Sequence, residues 1–147
     1  MFITTHLAAG LLVGKMTGNY PLAIGGAIIW DIDHLIPYYR HHVLKSPAKF
    51  WHAITSGTDP YRGQRGWFHN IFAWLLIAGA SLLLLPPPLG VAFSLGYLSH
   101  LVLDAFDTAD FWPLYPSKAI NLHGPIRYFS LSEASFAFAL LLLFALV

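Results

Sequence analysis

Cysteine is absent from the 147 residues, which excludes disulfides, thiolate zinc sites and cysteine nucleophiles. Charge is scarce. Only 10% of the residues are Asp, Glu, Lys or Arg, against roughly 25% in an ordinary soluble domain. Eight basic and seven acidic side chains leave a net charge of +1. No electrostatic surplus exists for a nucleic-acid partner, and none is expected. Apolar residues make up 56% of the chain and the mean hydropathy is +0.59, which excludes a disordered chain and disfavours a soluble domain. Histidine breaks the pattern, with eight residues against seven acids. At this length one domain, residues 1–147, is expected.

No charged residue stands between Arg65 and Asp104. Pro86, Pro87 and Pro88 cut this run, and a triple proline inside a helix is excluded, so a tight turn is expected there. The halves, residues 67–85 and 89–106, each reach close to 30 Å at about 1.5 Å per residue, the thickness of a bilayer's hydrocarbon core. They predict a transmembrane hairpin. Residues 5–16 and 20–36 give two more helices, with Ala8, Ala9, Gly10, Gly14, Gly25 and Gly26 as small residues that let membrane helices approach closely. Thr17, Gly18 and Asn19 predict the turn between them. Residues 129–147 give a last helix, opened by Glu133, which favours its N-terminal dipole. The start does not read as a cleavable signal peptide, because it lacks a basic segment and His6 falls where the apolar stretch would begin. The expected fold is all-α, a polytopic membrane helical bundle of about five helices.

Seven of the eight basic residues fall in two connections, residues 37–66 and 107–128, with Lys15 the exception. The hairpin topology puts both connections on one side, and the positive-inside rule makes that side the cytoplasm. The expected location is therefore the inner membrane, multi-pass, with membrane lipids as surroundings. Trp51, Trp67, Trp112 and the tyrosines are expected as interfacial anchors.

Traced through this topology, the polar residues converge on the same side. His6 starts the first helix, Asp31, Asp33 and His34 end the second, His69 starts the third, and His100 and Asp104 end the fourth. His100 and Asp104 are four apart and share a helix face. Asp31 and His34 are three apart and can share one, whereas Asp33 points elsewhere unless the helix ends; Pro37 predicts an ending nearby. Imidazoles and carboxylates gathered in this way suit a divalent metal. Four His and three Asp suffice for one ion with well-supported ligands, or for two. Taken singly, each group could instead be a hydrogen-bonded or solvated helix end. His41, His42, His52 and His123 are expected in solvated loops.

The motifs Thr5-His6, Asp31-Ile32-Asp33-His34, Arg65-Gly66-Trp67-Phe68-His69-Asn70, Ser99-His100 through Asp104, and Trp112-Pro113-Leu114 together resemble the membrane-bound metal-dependent hydrolases of bacteria and archaea, also described as LexA-regulated inner-membrane hydrolases. The resemblance runs from residue 5 to about 116. Gln64, Phe68 and Asn70 stand where that family carries His, Thr and Ser. The N-terminal His and the His-x-x-x-Asp block are also distantly similar to the zinc-dependent phospholipase C and single-strand nuclease superfamily. That similarity implies a helical metal site hydrolysing phosphate esters.

The expected function is a membrane-bound metal-dependent hydrolase using a metal-activated water on a phosphoester, a lipid phosphate head group being the natural substrate at an interface. The expected cofactor is a divalent metal, zinc foremost, as one or two ions. His6, Asp33, His69, His100 and Asp104 are the expected direct ligands. Asp31 and His34 are expected either on a second metal or as orienting groups, and Arg65, four residues before His69, as a phosphate clamp. The rival is a non-catalytic regulatory or scaffold protein whose metal or polar cluster ties helices together. A transporter would need ligands midway along its helices, and these lie at helix ends.

Overall fold

The computed structural model describes residues 1–56 and 65–147, so Arg62 and Gln64 lie outside the described residues. Among the described residues seven α-helices follow in order: α1 (Ile3–Thr17), α2 (Tyr20–Ile28), α3 (Leu35–Arg40), α4 (Pro47–Thr55), α5 (Ile71–Leu84), α6 (Pro87–Ala105) and α7 (Leu131–Leu146). Among the described residues no strand forms. Two isolated bridges, Asp107 with Ile126 and Phe111 with Leu122, fold the connection before α7 back on itself.

The first turn is where the sequence predicts it. Gly18 ends α1 at φ 72°, in the left-handed region, and Asn19 caps α2 by accepting from the Leu22 N–H at 3.2 Å. The next element departs from expectation. The helix does not run to residue 36 but stops at Ile28, and residues Ile29–His34 wind as a 3₁₀ segment before α3. Pro37 does not stop the chain either. It sits in the first turn of α3, where its missing N–H costs little.

The hairpin is also re-cut. α5 starts at Ile71 rather than 67, because the Asn70 side chain accepts from the Ala73 N–H at 2.9 Å and caps it. Its 14 residues span only about 21 Å. α6 gains what α5 loses. Pro86 caps it, and Pro87 and Pro88 form its first turn instead of preceding it. Among the described helices only α6, Pro87–Ala105, is long and apolar enough to cross a membrane; α5 and α7 are shorter apolar helices. The polar connection expected at 37–66 carries α3 and α4.

α6 is the central element, packed against α1, α2 and α5, with α7 on α1. Small residues make this closeness possible. A Cβ at Gly26 would run into the Phe93 carbonyl, and one at Gly96 into the Ala23 carbonyl. Ser81 and Ser94 share a hydrogen bond of 2.9 Å between α5 and α6. α1 and α7 run parallel. Glu133 accepts from the backbone N–H of Phe2 and the Thr5 hydroxyl at one end, while Lys15 donates to the Phe144 carbonyl at the other, 2.7 Å away. Glu133 therefore does more than face a helix dipole; it is buried and staples two helices.

Much of the interior is small or polar around an aromatic core of Trp30, Tyr97 and Phe111, and the outside is rich in large apolar side chains. Leu75, Leu76 and Leu83 of α5, Val91, Leu95 and Val102 of α6, and Phe138, Leu142 and Leu146 of α7 are all exposed. A continuous apolar exterior of this kind marks contact with something other than water.

Candidate metal centre

Helix geometry delivers the site residues to one end of the bundle. On α6, His100 and Asp104 lie one turn apart, with Nε2 and Oδ2 separated by 3.7 Å. In the 3₁₀ segment, residues three apart eclipse. Asp31 and His34 accordingly face the same way, 3.7 Å from Oδ1 to Nδ1, and Asp33 turns aside. His6 arrives from the first turns of α1, its ring stacked on that of His100 with centroids 4.0 Å apart. His69 arrives from the bend before α5.

These side chains meet. His69 Nε2 is 2.9 Å from His100 Nε2, 3.3 Å from Asp104 Oδ2 and 4.0 Å from Asp31 Oδ1. His100 Nε2 is 3.9 Å from Asp31 Oδ1, and His6 Nε2 is 3.5 Å from Asp104 Oδ1. His6, His100 and Asp104 form one group with ligand atoms within 4.8 Å of one another, and Asp31, His34 and His69 form another.

The other ring nitrogens decide what the pair at 2.9 Å can be. His69 Nδ1 lies 3.0 Å from Asp33 Oδ2, which already accepts from the backbone N–H groups of Gly66 and Phe68. Oδ2 is an acceptor, so His69 Nδ1 carries the hydrogen. His100 Nδ1 lies 2.8 Å from the Ala27 carbonyl, which can only accept, so it too carries its hydrogen. In neutral rings both Nε2 atoms then hold bare lone pairs, and the lone pairs face each other. Burial pulls His69 down to about 3, which disfavours a proton between them; a divalent cation would suit two such lone pairs.

A wider census agrees. Among the described residues, the buried side-chain nitrogens and oxygens without a hydrogen-bond partner are Trp30 Nε1 and six atoms of this cluster: both His6 nitrogens, Asp31 Oδ1, Asp33 Oδ1, His34 Nε2 and Asp104 Oδ2. Each such atom costs about 1–3 kcal/mol. The donor chemistry, neutral imidazole and carboxylate oxygen converging from separate elements, fits a divalent cation.

Burial, and after it the charge of Asp104, pushes Asp31 up to about 8. Burial pushes Asp33 up to about 6, against the pull of His34 and the Phe68 and Gly66 N–H groups. His34 is pulled down to about 3 by burial and by His69. Arg65 is buried as well. Burial opposes its charge, but Asp104 and Asp107 hold it above its ordinary value. Its two terminal nitrogens go to protein acceptors: one to the Ala109 carbonyl at 3.2 Å, the other to Asp104 Oδ1 at 3.1 Å and Asp107 Oδ2 at 2.6 Å. The Met1 nitrogen also lies 2.8 Å from both carboxylates.

All eight residues singled out in the sequence thus come together, with two changes of position. Asp33, expected as a direct ligand, sits behind His69. Asp31 faces the Nε2 pair instead. Arg65, expected as a phosphate clamp, grips the carboxylate of Asp104. Asp107 was missed, although it lies three residues past Asp104 and is wholly buried against Arg65. Asn70, which replaces the serine of the resembled family, works as a helix cap and donates to the Trp67 carbonyl at 2.8 Å. His123 stays outside, exposed beside Asp110.

Two cavities flank the cluster. A wide one of about 820 Å³ is lined by Asp33, Arg40, His41, Arg65 and Lys118 among others. A narrower one of about 360 Å³ reaches Asp31 and His34. The family model for the YdjM inner membrane protein matches residues 1–147, and the chain belongs to that family. No curated protein and no solved structure matches it.

Proposed function

We propose, from membership of an inner-membrane family, that the chain is a multi-pass membrane metallohydrolase acting on phosphoesters, lipid phosphates foremost, with its site at the cytoplasmic face. The observation that carries the metal is the pair of Nε2 lone pairs of His69 and His100 at 2.9 Å, beside the unpartnered Asp104 Oδ2. The apolar exteriors of α5, α6 and α7 support several membrane passages. The basic residues support the sidedness. The connections that hold them meet at the site's end, where Arg65 reaches Ala109 and Arg127 reaches the Ser56 carbonyl.

In this reading His69, His100, Asp104 and Asp31 hold the cation, with His6 and His34 beside them. The chemistry a divalent cation would supply there is a water acidified toward neutrality and positive charge for a phosphoryl oxygen. Asp33 and the Ala27 carbonyl fix the tautomers of His69 and His100 through Nδ1. Arg65, itself anchored on Asp107, and the Met1 nitrogen hold Asp104 by Oδ1, which leaves Oδ2 for the site. Arg40 and Lys118, in the wide cavity with Arg65, supply positive potential for a phosphate.

A non-catalytic reading, in which a metal only ties helices together, draws support from the burial of His6, His69, His100 and Asp104. The exposure retained by Asp31 and His34 favours the hydrolase. The test is metal content by mass spectrometry on detergent-purified protein, wild type beside His100→Ala and Asp104→Ala. About one or two equivalents in wild type, lost in both variants, is expected, followed by hydrolysis in a lipid-phosphate screen. Metal-free wild type that zinc and manganese fail to load would overturn the reading.

A further inference from the structure

Residues three apart along the 3₁₀ segment Ile29–His34 share a face, and its three faces have different surroundings. Asp31 and His34 look onto the cluster. Trp30 and Asp33 are buried. Ile29 and Ile32, with Leu35 next in the series, point outward and are 51%, 55% and 49% exposed. The same division recurs on the other elements that hold the cluster. α1 buries His6 but exposes Ile3 and Leu7, one turn apart. α6 buries His100 and Asp104 but exposes Val102 and Phe106. α5 begins just after the buried His69 and exposes Phe72. Four elements therefore carry large apolar side chains outward at the height where their polar ones turn inward. Along α5 and α6 this belt runs on into the exposed Leu75, Leu76, Leu95 and Val91.

Helix lengths say how deep the belt lies. The end of the bundle away from the site is marked by Lys15, which reaches the Phe144 carbonyl, and by the turn at Gly18. From His6 to Lys15 along α1 is about 14 Å, and from His100 back to Pro87 along α6 about 20 Å. A bilayer's hydrocarbon core is roughly 30 Å thick, so about 10–16 Å of it is left over on the site's side. We propose that this remainder surrounds the cluster: lipid acyl chains cover the belt of Ile3, Ile29, Ile32, Val102 and Phe106, and the site lies within the hydrocarbon layer, below the cytoplasmic head groups. The proposal rests on the multi-pass reading above and not on the metal. A bilayer thinned to fit the short helices is the other way to meet the mismatch, but it leaves the whole belt in water, where such a surface is costly. Ionisable groups at hydrocarbon depth face the bundle interior and one another. His6, His69, His100 and Asp104 do so, with side chains 0–1% exposed. The polar way in is then the wide cavity lined by Arg40, Arg65 and Lys118.

The chain has no cysteine, so each single-cysteine variant of the full chain carries one spin label. Ile32→Cys and Val102→Cys report at the height of the cluster, from two different elements. Leu76→Cys, at an exposed position midway along α5, is the reference for hydrocarbon, and Lys45→Cys, at an exposed position in the connection before α4, the reference for water. In phosphatidylcholine bilayers, power saturation reads collisions of each label with oxygen, which concentrates in hydrocarbon, and with a water-soluble nickel chelate. The labels at Ile32 and Val102 are expected to match Leu76, with oxygen collisions severalfold above nickel, and Lys45 to show the reverse. Val102 carries the reading should a label disturb the 3₁₀ segment. Nickel-rich collisions at either cluster position in folded protein, beside an oxygen-rich Leu76, overturn the proposal and leave the multi-pass reading standing, with the bilayer thinned to the helices. A label shielded from both reagents reports a protein partner over the belt and overturns the proposal as well. Nickel-rich collisions at Leu76 overturn the multi-pass reading and the proposal with it.

Discussion

Exchange of Asp31 and Asp33 between direct and supporting roles is open to a sharp test. Asp33→Asn keeps the shape of the side chain. Its amide oxygen can take the place of Oδ2, which receives the His69 Nδ1–H at 3.0 Å and two backbone N–H groups at 3.4 Å. The amide nitrogen then occupies the position of Oδ1, which has no partner to clash with. What is lost is the negative charge behind the imidazole. Supporting carboxylates of this kind are worth about 10–100-fold in metal affinity, or roughly 1.4–2.7 kcal/mol. Asp31→Asn removes an oxygen facing both Nε2 atoms, 4.0 and 3.9 Å away, and is expected to cost more than that. The assay is a zinc titration against a chromophoric chelator in detergent, with both variants beside wild type. The expected order of affinity is wild type, Asp33→Asn, Asp31→Asn. An Asp33→Asn protein that takes up no metal, beside an Asp31→Asn protein that binds like wild type, would refute the assignment and restore Asp33 as the ligand.

The packing makes its own predictions. Gly96→Leu drives a side chain into the Ala23 carbonyl and is expected to cost about 1–3 kcal/mol or more in thermal unfolding; Gly79→Ala, with nothing within 4 Å of its Cβ, should be neutral or stabilising by up to about 1 kcal/mol. Glu133→Ala strips acceptors from the backbone N–H groups of Phe2 and Phe129, about 1–3 kcal/mol for each, and hydrogen exchange should rise first where α1 meets α7. Arg65→Ala leaves Asp104 and Asp107 buried with the Met1 nitrogen but without their guanidinium and should lower stability by up to about 3–5 kcal/mol, the range for a buried pair broken outright. If Arg65 were instead a substrate clamp, the same change would raise KM and spare the melting temperature.

Much of the site was legible because helices are periodic. The four-residue step from His100 to Asp104 and the three-residue step from Asp31 to His34 both put polar side chains on one face, and α6 ends within a residue of where the hydropathy pattern placed an end, whereas α2 stops eight residues early. The division of labour between Asp31 and Asp33 was not legible, because it turns on whether the backbone winds as α or 3₁₀ there. The pairing of Arg65 with Asp107 spans 42 residues and follows no period. The helix ends in the hairpin were readable and were misread. Asn70 is a good N-cap and Pro87 a good first-turn residue, but apolar Trp67 and Phe68 extended the hydrophobic run past the true cap. The shortening of α5 has a consequence for the site. The residues it gives up form the bend whose Gly66 and Phe68 N–H groups hold Asp33 behind His69.

The sealed interior also separates a ligand cluster from a hydrogen-bonded tie between helices, and His6 is the residue that does it. Its ring is fully buried, both nitrogens lack a hydrogen-bond partner, and its ring stacks on His100 at 4.0 Å. Phenylalanine has nearly the same shape and can keep that stack. In metal-free protein, His6→Phe deletes two unsatisfied polar atoms and leaves Asp104 Oδ1 with Arg65 and the Met1 nitrogen. Replacing an unpaired buried polar group by an apolar one of similar shape should stabilise by about 1–3 kcal/mol. With zinc present the sign reverses. Wild type gains up to about 4.1 kcal/mol at a thousandfold excess of ligand over Kd, and a variant that binds less tightly gains less. Thermal melts of both proteins, each with chelator and with zinc, read this crossing directly. If His6 only ties α1 to α6 through Asp104, the variant melts lower under both conditions, and the ligand reading of the cluster loses its sixth member.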